Sequence, residues 1–370
     1  MAPVEGTTRV ASAVKKKRPL SVFFAALIII LFYFLLFPYP LGKDLVARPV
    51  WAVPVPKTPV AAPAGAPGPA APFQLGDTFG YVSAEGAVVY AARTLFRVAL
   101  SDAGFVNYTR LGTDWIVQSP GGGRILSFSG NGYPLLSPEG DRIFNVKSDL
   151  SGLIELDSSG ETLWSRDFPA MMTSISLHGD SLLVGLLNGT LVLLNRKGYP
   201  VLEYAPAGSR IPVIVGDAVS ADGSLIASIS GIDPQYLTVI RRRAAGQTAL
   251  ARLVLSSDFR REARMAFSPD ARFLLFETEQ GAGLFDPGSR RTSWVMLRGA
   301  LSGMAFAAAG RYAALSAQDG ARAELAIIDP FNRPLYRESF AARELTLGSV
   351  GNQILIAWEG WLLRVNVEEL

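Results

Sequence analysis

Polarity is distributed along this chain in two ways. From Ser21 to Leu41 the run SVFFAALIIILFYFLLFPYPL carries no charged side chain, and about 20 apolar residues rising 1.5 Å each cross a hydrocarbon core of roughly 30 Å as a helix. Beyond residue 73, apolar or alternating runs are short and are broken by Gly, Asp, Asn and Ser. That texture predicts an all-β array of strands and tight turns. Between the two lies PVWAVPVPKTPVAAPAGAPGPAAP, residues 49–72, dense in Pro and Ala with a single charge. Such a composition favours polyproline II, so it predicts a semi-rigid spacer of up to roughly 70 Å.

Within the β region a unit recurs in which a turn with Gly or Asp precedes a strongly apolar strand. Examples are SPEGDRIFNV (137–146), LHGDSLLVGL (177–186), SADGSLIASI (220–229), SPDARFLLFE (268–277), AAAGRYAALS (307–316) and SVGNQILIAW (349–358). Their turn positions Gly140, Gly179, Gly223, Ala271, Gly310 and Gly351 are separated by 39, 44, 48, 39 and 41 residues, and Gly86 marks an earlier copy. A second signature follows, a strand that ends in a polar turn and resumes, centred on Asp157, Asn195, Asp286 and Asp329. A repeat of about 40 to 45 residues with four strands is a β-propeller blade, because one four-stranded sheet cannot hide both faces and radial packing buries them together. Seven turns predict about seven four-stranded blades, with six to eight allowed because WIVQSPGGGRILSFSG (115–130) fits the spacing badly. The last copy has three strands before the chain ends, so a strand from near residues 73–82 is expected to close the ring.

GLIELDSSGETLW, with Asp157, Gly160 and Trp164, resembles the tryptophan-docking repeat of bacterial quinoprotein-like propellers, including the scaffold lipoprotein of the outer-membrane protein assembly machinery. SPDARFLLF and SADGSLIAS resemble the strand-turn units of the Tol-system periplasmic propeller and of tryptophan-aspartate repeat proteins. The resemblance covers the β region as architecture and implies a bacterial periplasmic propeller. Its quinoprotein branch implies a calcium and paired cofactor-contacting residues, which have no counterpart here, so no cofactor is expected.

The cluster Lys15, Lys16, Lys17 and Arg18 directly before the apolar run predicts a cytoplasmic N-terminus, since basic residues are retained on that side. The run exceeds the usual h-region of a cleaved signal and no convincing cleavage site follows. The expected organisation is therefore a basic cytoplasmic tail (1–20), one transmembrane signal anchor (21–41), a Pro/Ala-rich linker (42–72) and an extracytoplasmic propeller (73–370). The expected location is the bacterial inner membrane, with the propeller in the periplasm or outside the cell.

Charge and rare residues exclude several functions. The chain has 35 basic and 32 acidic residues, but residues 1–72 hold eight of the bases and two of the acids, leaving 27 and 30 beyond. Nucleic acid is not an expected partner of such a domain. There is no Cys, which excludes thiol nucleophiles, thiolate metal sites and disulfides. The single histidine, His178, sits at a turn, and no G-x-S-x-G elbow accompanies it. The acids Asp157, Asp222, Asp270, Asp286 and Asp329 occupy repeating turn positions, where a carboxylate accepts hydrogen bonds from turn N–H groups. PGGG (120–123) lacks the Lys and Ser or Thr of a phosphate loop.

No catalytic, cofactor or metal residue is assigned. One basic patch remains, Arg241, Arg242 and Arg243 with Arg260, Arg261 and Arg264, on a connection (IRRRAAGQTALARLVL) expected to project from the fourth blade and meet an anionic partner. The expected function is a non-catalytic protein-interaction scaffold whose partners are envelope proteins or cell-wall material. The alternative is a sensor or enzyme that holds a sugar or quinone in the propeller channel.

Overall fold

SLLVGL (181–186) shows why these segments are strands without strict alternation. Leu182, Val184 and Leu186 pack with Phe144 and Leu153, while the intervening Leu183 packs with Ile214 and Ile226. A strand covered on both sides reads as a continuous apolar run. In the computed structural model this happens at successive sheet-to-sheet contacts. The structure describes Phe24, Leu27, Phe32, Tyr33 and residues 45–369 except 62–69, 244–245, 308–309, 330 and 351–352. Residues 45–368 form one unit, separate from a second made of 1–44 and 369–370.

Eight four-stranded antiparallel sheets make up the fold. In chain order the blades comprise residues 60–93, 97–131, 133–167, 172–204, 211–255, 265–296, 300–341 and 345–369, the last joined by Leu45–Pro54. In blades two to seven the four strands follow one another from the centre outward, and first strands of neighbouring blades pack together, as Met172–His178 does with Ile211–Val219. Such a meander puts the turns after the first and third strands on one face of the ring. The turn after the second strand and the connection to the next blade emerge on the other.

The blade number corrects the expectation of about seven. The missed blade is the second, whose outer hairpin, Thr113–Gln118 and Arg124–Asn131, is the badly fitting segment 115–130. Gly140, Gly179, Gly223, Ala271 and Gly310 each follow the first strand of a blade, whereas Gly86 lies one turn further along, between Thr78–Ser83 and Val88–Arg93. Gly351 lies outside the described residues.

Ring closure is also corrected. Leu45–Pro54, placed in the linker by composition, is the outermost strand of the eighth blade, and Val60–Ala61 is the outermost strand of the first. Pro49 and Pro54 are tolerated because an edge strand has one side free of partners. The segment near 73–82 instead supplies the first blade, which runs in reverse. The end of Ala70–Leu75 meets the start of Leu345–Val350, where Thr346 Oγ1 donates to Gln74 O at 2.5 Å. Elsewhere first strands run alongside, as where Val219 N donates to Ser176 Oγ at 3.2 Å.

The predicted transmembrane helix is not found among the described residues, where no helix is long and apolar enough to cross a membrane. Of the span 21–41 only Phe24, Leu27, Phe32 and Tyr33 are described, each helical and exposed; the rest, and Lys15, Lys16, Lys17 and Arg18, lie outside the described residues. Single-pass anchoring and an inner-membrane location therefore lose their structural support.

Candidate functional site

On the face that carries the turns after first and third strands, the polar groups are engaged with one another. At the outer hairpins Asp157 Oδ1 accepts from Ser159 N and Glu161 N at 2.8 and 2.9 Å, and Asn195 Oδ1 from Lys197 N and Tyr199 N at 3.0 and 3.1 Å. Asp286 and Asp329 do the same in the sixth and seventh blades. These contacts hold the Asp157 carboxyl below its ordinary value, the Ser159 hydroxyl being the largest cause. At the inner turns Ser220 and Ser268 donate to Asp222 and Asp270, both at 2.6 Å, while accepting from Leu225 N and Phe273 N.

Behind these turns lies a buried ion pair. Arg142 Nε and Nη2 donate to Glu155 Oε1 and Oε2, both at 2.9 Å, and both side chains are shielded from solvent. Arg142 Nη1 reaches Gly179 O of the next blade at 3.4 Å. Arg196 is shared between Asp141 and Asp180 at 3.3 and 2.8 Å, and His178 Nδ1 lies 3.4 Å from Glu139 Oε1.

Of the predicted docking residues Asp157, Gly160 and Trp164, all on the third blade, Trp164 reaches the fourth blade, while Gly160 lies against Ser127 O of the second. Trp164 Nε1 donates to Arg196 O at 3.2 Å, and its ring covers Gly198, where a Cβ would come within 2.5 Å of the indole. Trp51 and Tyr90 do likewise and were not recognised. Trp51 Nε1 donates to Ala84 O at 2.9 Å with its ring over Gly86, and Tyr90 covers Gly122. PGGG is therefore a turn that receives an aromatic ring.

Arg241, Arg242 and Arg243 sit at the end of the strand Gln235–Arg243, paired with Gly246–Leu255, so the expected projecting connection is a β-hairpin of the fifth blade. Arg242 Nε donates to Gly223 O at 3.2 Å. The other arginines of the patch lie elsewhere, on the connection into the sixth blade. Arg261 grips buried Glu277 with Nη1–Oε2 at 3.0 Å and Nη2–Oε1 at 2.5 Å, and Arg264 N donates to Glu277 Oε2 at 3.0 Å.

The central channel holds a cavity of about 870 Å³ whose lining includes Ser176, Asp217, Glu262 and Arg264. Burial pushes the Asp217 carboxyl up to about 8, against a hydrogen bond from Ser174 Oγ and with Glu262 adding to the rise. No group of three or more His, Asp or Glu side chains that could hold a metal is found among the described residues.

The opposite face is different in kind. Two adjoining depressions of about 560 and 540 Å³ share Leu150, Met172, Thr173 and Glu262. One runs toward Phe96, Tyr108 and Tyr133, the other toward Met171, Leu187, Ile211 and Ile232. Together they form a groove over blades two to five. Phe96, Met171, Leu187 and Ile211 are solvent-exposed along it, from 44% for Phe96 to 50% for Leu187. A contiguous exposed apolar patch with a polar rim is the mark of an interaction surface.

A model of the beta-propeller protein family matches residues 13–370. The chain belongs to that family. An uncharacterized protein of Treponema pallidum (strain Nichols) is 24% identical over 365 residues, covering 96% of this chain and 95% of that one. Among solved structures, BamB from Moraxella catarrhalis superposes with a TM-score of 0.57 at 16% identity, over 87% of this chain and all of that one. The Cps50 (Swd1) β-propeller domain of Myceliophteria thermophila gives 0.50 at 13% identity, over 73% and 95%. These likenesses are to the ring architecture, in keeping with the resemblance drawn from the repeats.

In this propeller the groove escaped the sequence because its residues come from connections of four blades, from Phe96 to Ile232. A local signal existed in the turns: Leu111 and Leu187 are large apolar residues where the other face has Asp, Asn or Ser.

Proposed function

We propose that this β-propeller is a protein-interaction scaffold that engages partners through its apolar groove and has no catalytic role of its own. The observation that carries the reading is the exposure of Phe96, Met171, Leu187 and Ile211, from blades two, four and five, along one groove, on a ring whose opposite face uses its polar groups internally. Exposed Leu, Met and Phe gain from burial against a partner at roughly 25 cal/mol per Å², and rigid blades hold them in place beforehand.

The test compares full-length protein with the double variant Met171→Asp, Leu187→Asp in crosslinked cells, captured proteins being quantified by mass spectrometry. Loss of most specific capture is expected, with thermal melting nearly unchanged because both side chains are exposed. Arg241→Ser, Arg242→Ser, Arg243→Ser serves as the contrasting variant and is expected to retain capture. Undiminished capture by the groove variant would reject the reading.

A further inference from the structure

The groove is charged as well as apolar. At its second-blade end Arg97 lines the groove and Arg110 lies on the turn after the second strand of that blade; both are exposed and have no carboxylate within ion-pair distance among the described residues, and the Arg97 guanidinium lies 5.5 Å from the ring centre of exposed Phe96. At the far end stand Arg260 and Arg261, on the same connection as Arg264. Arg260 has only an exposed pairing with Asp258, at 3.2 Å, which solvent screens. Glu262, where the two depressions join, is the one acid in the lining. Its crowded surroundings raise its pKa while Arg264 opposes the rise. The groove thus joins an apolar floor to an unpaired cation, Arg97, at its second-blade end and to arginines at the far end whose charge is shared with Asp258 and Glu277.

We propose that the groove binds a segment of a partner protein in which apolar side chains are interspersed with Asp and Glu. This rests on the scaffold reading and adds the chemistry of the partner. A basic amphipathic segment would place its cations against Arg97, Arg110 and Arg260, and juxtaposed like charges reject wrong partners. A purely anionic polymer would satisfy the arginines and leave Leu150, Met171, Met172 and Leu187 in water, forgoing the larger contribution.

Fluorescence anisotropy of the full chain tests this with a labelled peptide alternating Asp or Glu with Leu and Phe. Controls replace the acids by Lys or the apolar residues by Ser, and inorganic polyphosphate is the competitor. The acidic apolar peptide is expected to bind about tenfold or more tightly than either control and to weaken as salt rises. Arg97→Glu with Arg110→Glu should cost about tenfold, and Glu262→Gln should improve binding a few-fold. Equal binding of the Lys peptide, absence of binding, insensitivity to the double reversal, or full displacement by polyphosphate would each overturn the proposal. If Met171→Asp, Leu187→Asp abolishes partner capture while the acidic peptide fails to bind, only the partner chemistry is lost; if capture also survives, the scaffold reading falls with it.

Discussion

The two faces of the ring use polar and apolar residues in opposite ways. On one, Asp157, Asn195, Asp286 and Asp329 close turns, Arg142 is locked to Glu155, and Arg196 bridges two blades. On the other, Leu111, Met171 and Leu187 stand in solvent, with Arg97 and Arg110 unpaired beside the groove among the described residues. A conspicuous charged cluster is therefore a poor guide to function in this fold. Groups that satisfy one another hold blades together, and those left unsatisfied are available to a partner.

Variants on the charged face sharpen the contrast if they change stability and leave partner capture alone. The largest effect is expected from Glu155→Ala, which strands a buried guanidinium. Removing one member of such a pair costs about 3–5 kcal/mol, measurable by urea denaturation provided unfolding is two-state. A substantially smaller loss would mean that solvent reaches Arg142 and that this face is less consolidated than its geometry indicates.

Gly198→Ala comes next. Gly198 has φ of +74°, and the added methyl would press on the Trp164 ring. Overpacking plus left-handed strain is expected to cost about 1–3 kcal/mol, read by thermal or urea melting. Neutrality would show that the aromatic docking between the third and fourth blades contributes little.

The smallest effect is expected from Asp286→Ala, at about 1 kcal/mol. Burial raises the Asp286 carboxyl, but hydrogen bonds from Ser289 and Gly288 outweigh it and leave it below its ordinary value. A lowered folded-state pKa means that this contribution is present above the unfolded value, about 4, and fades as pH falls through the folded one. Wild type and variant should therefore converge in stability below about pH 4, and a constant gap across the titration would assign the loss to something other than the carboxylate.

Turn chemistry was legible because it is local. Asp157 and its counterparts bond to N–H groups two to four residues away, so the chemistry recurs wherever the spacing recurs. The second blade was not legible as a blade. Its inner turn is held by Ser101, which both donates to Gly104 O and accepts from Gly104 N; the turn carries Asp102 and Gly104, but the apolar run after it is only Phe105-Val106 before Asn107. Leu45–Pro54 misled for another reason. Its Pro and Ala content describes an isolated chain, whereas its conformation comes from the edge of a blade some 300 residues away in sequence.

The amino-acid sequence alone determined that the region beyond 73 is built of repeated blade units with hydrogen-bonded turns, because strand polarity and turn bonding act over a few residues. Tertiary structure decided the number of blades, which strands close the ring, and the joining of Phe96, Leu150, Met171, Leu187 and Ile232 into one groove. Those outcomes depend on edges that must find partners and on blades that must bury one another's faces. They are set by contacts between segments far apart in the chain, where no local spacing records them.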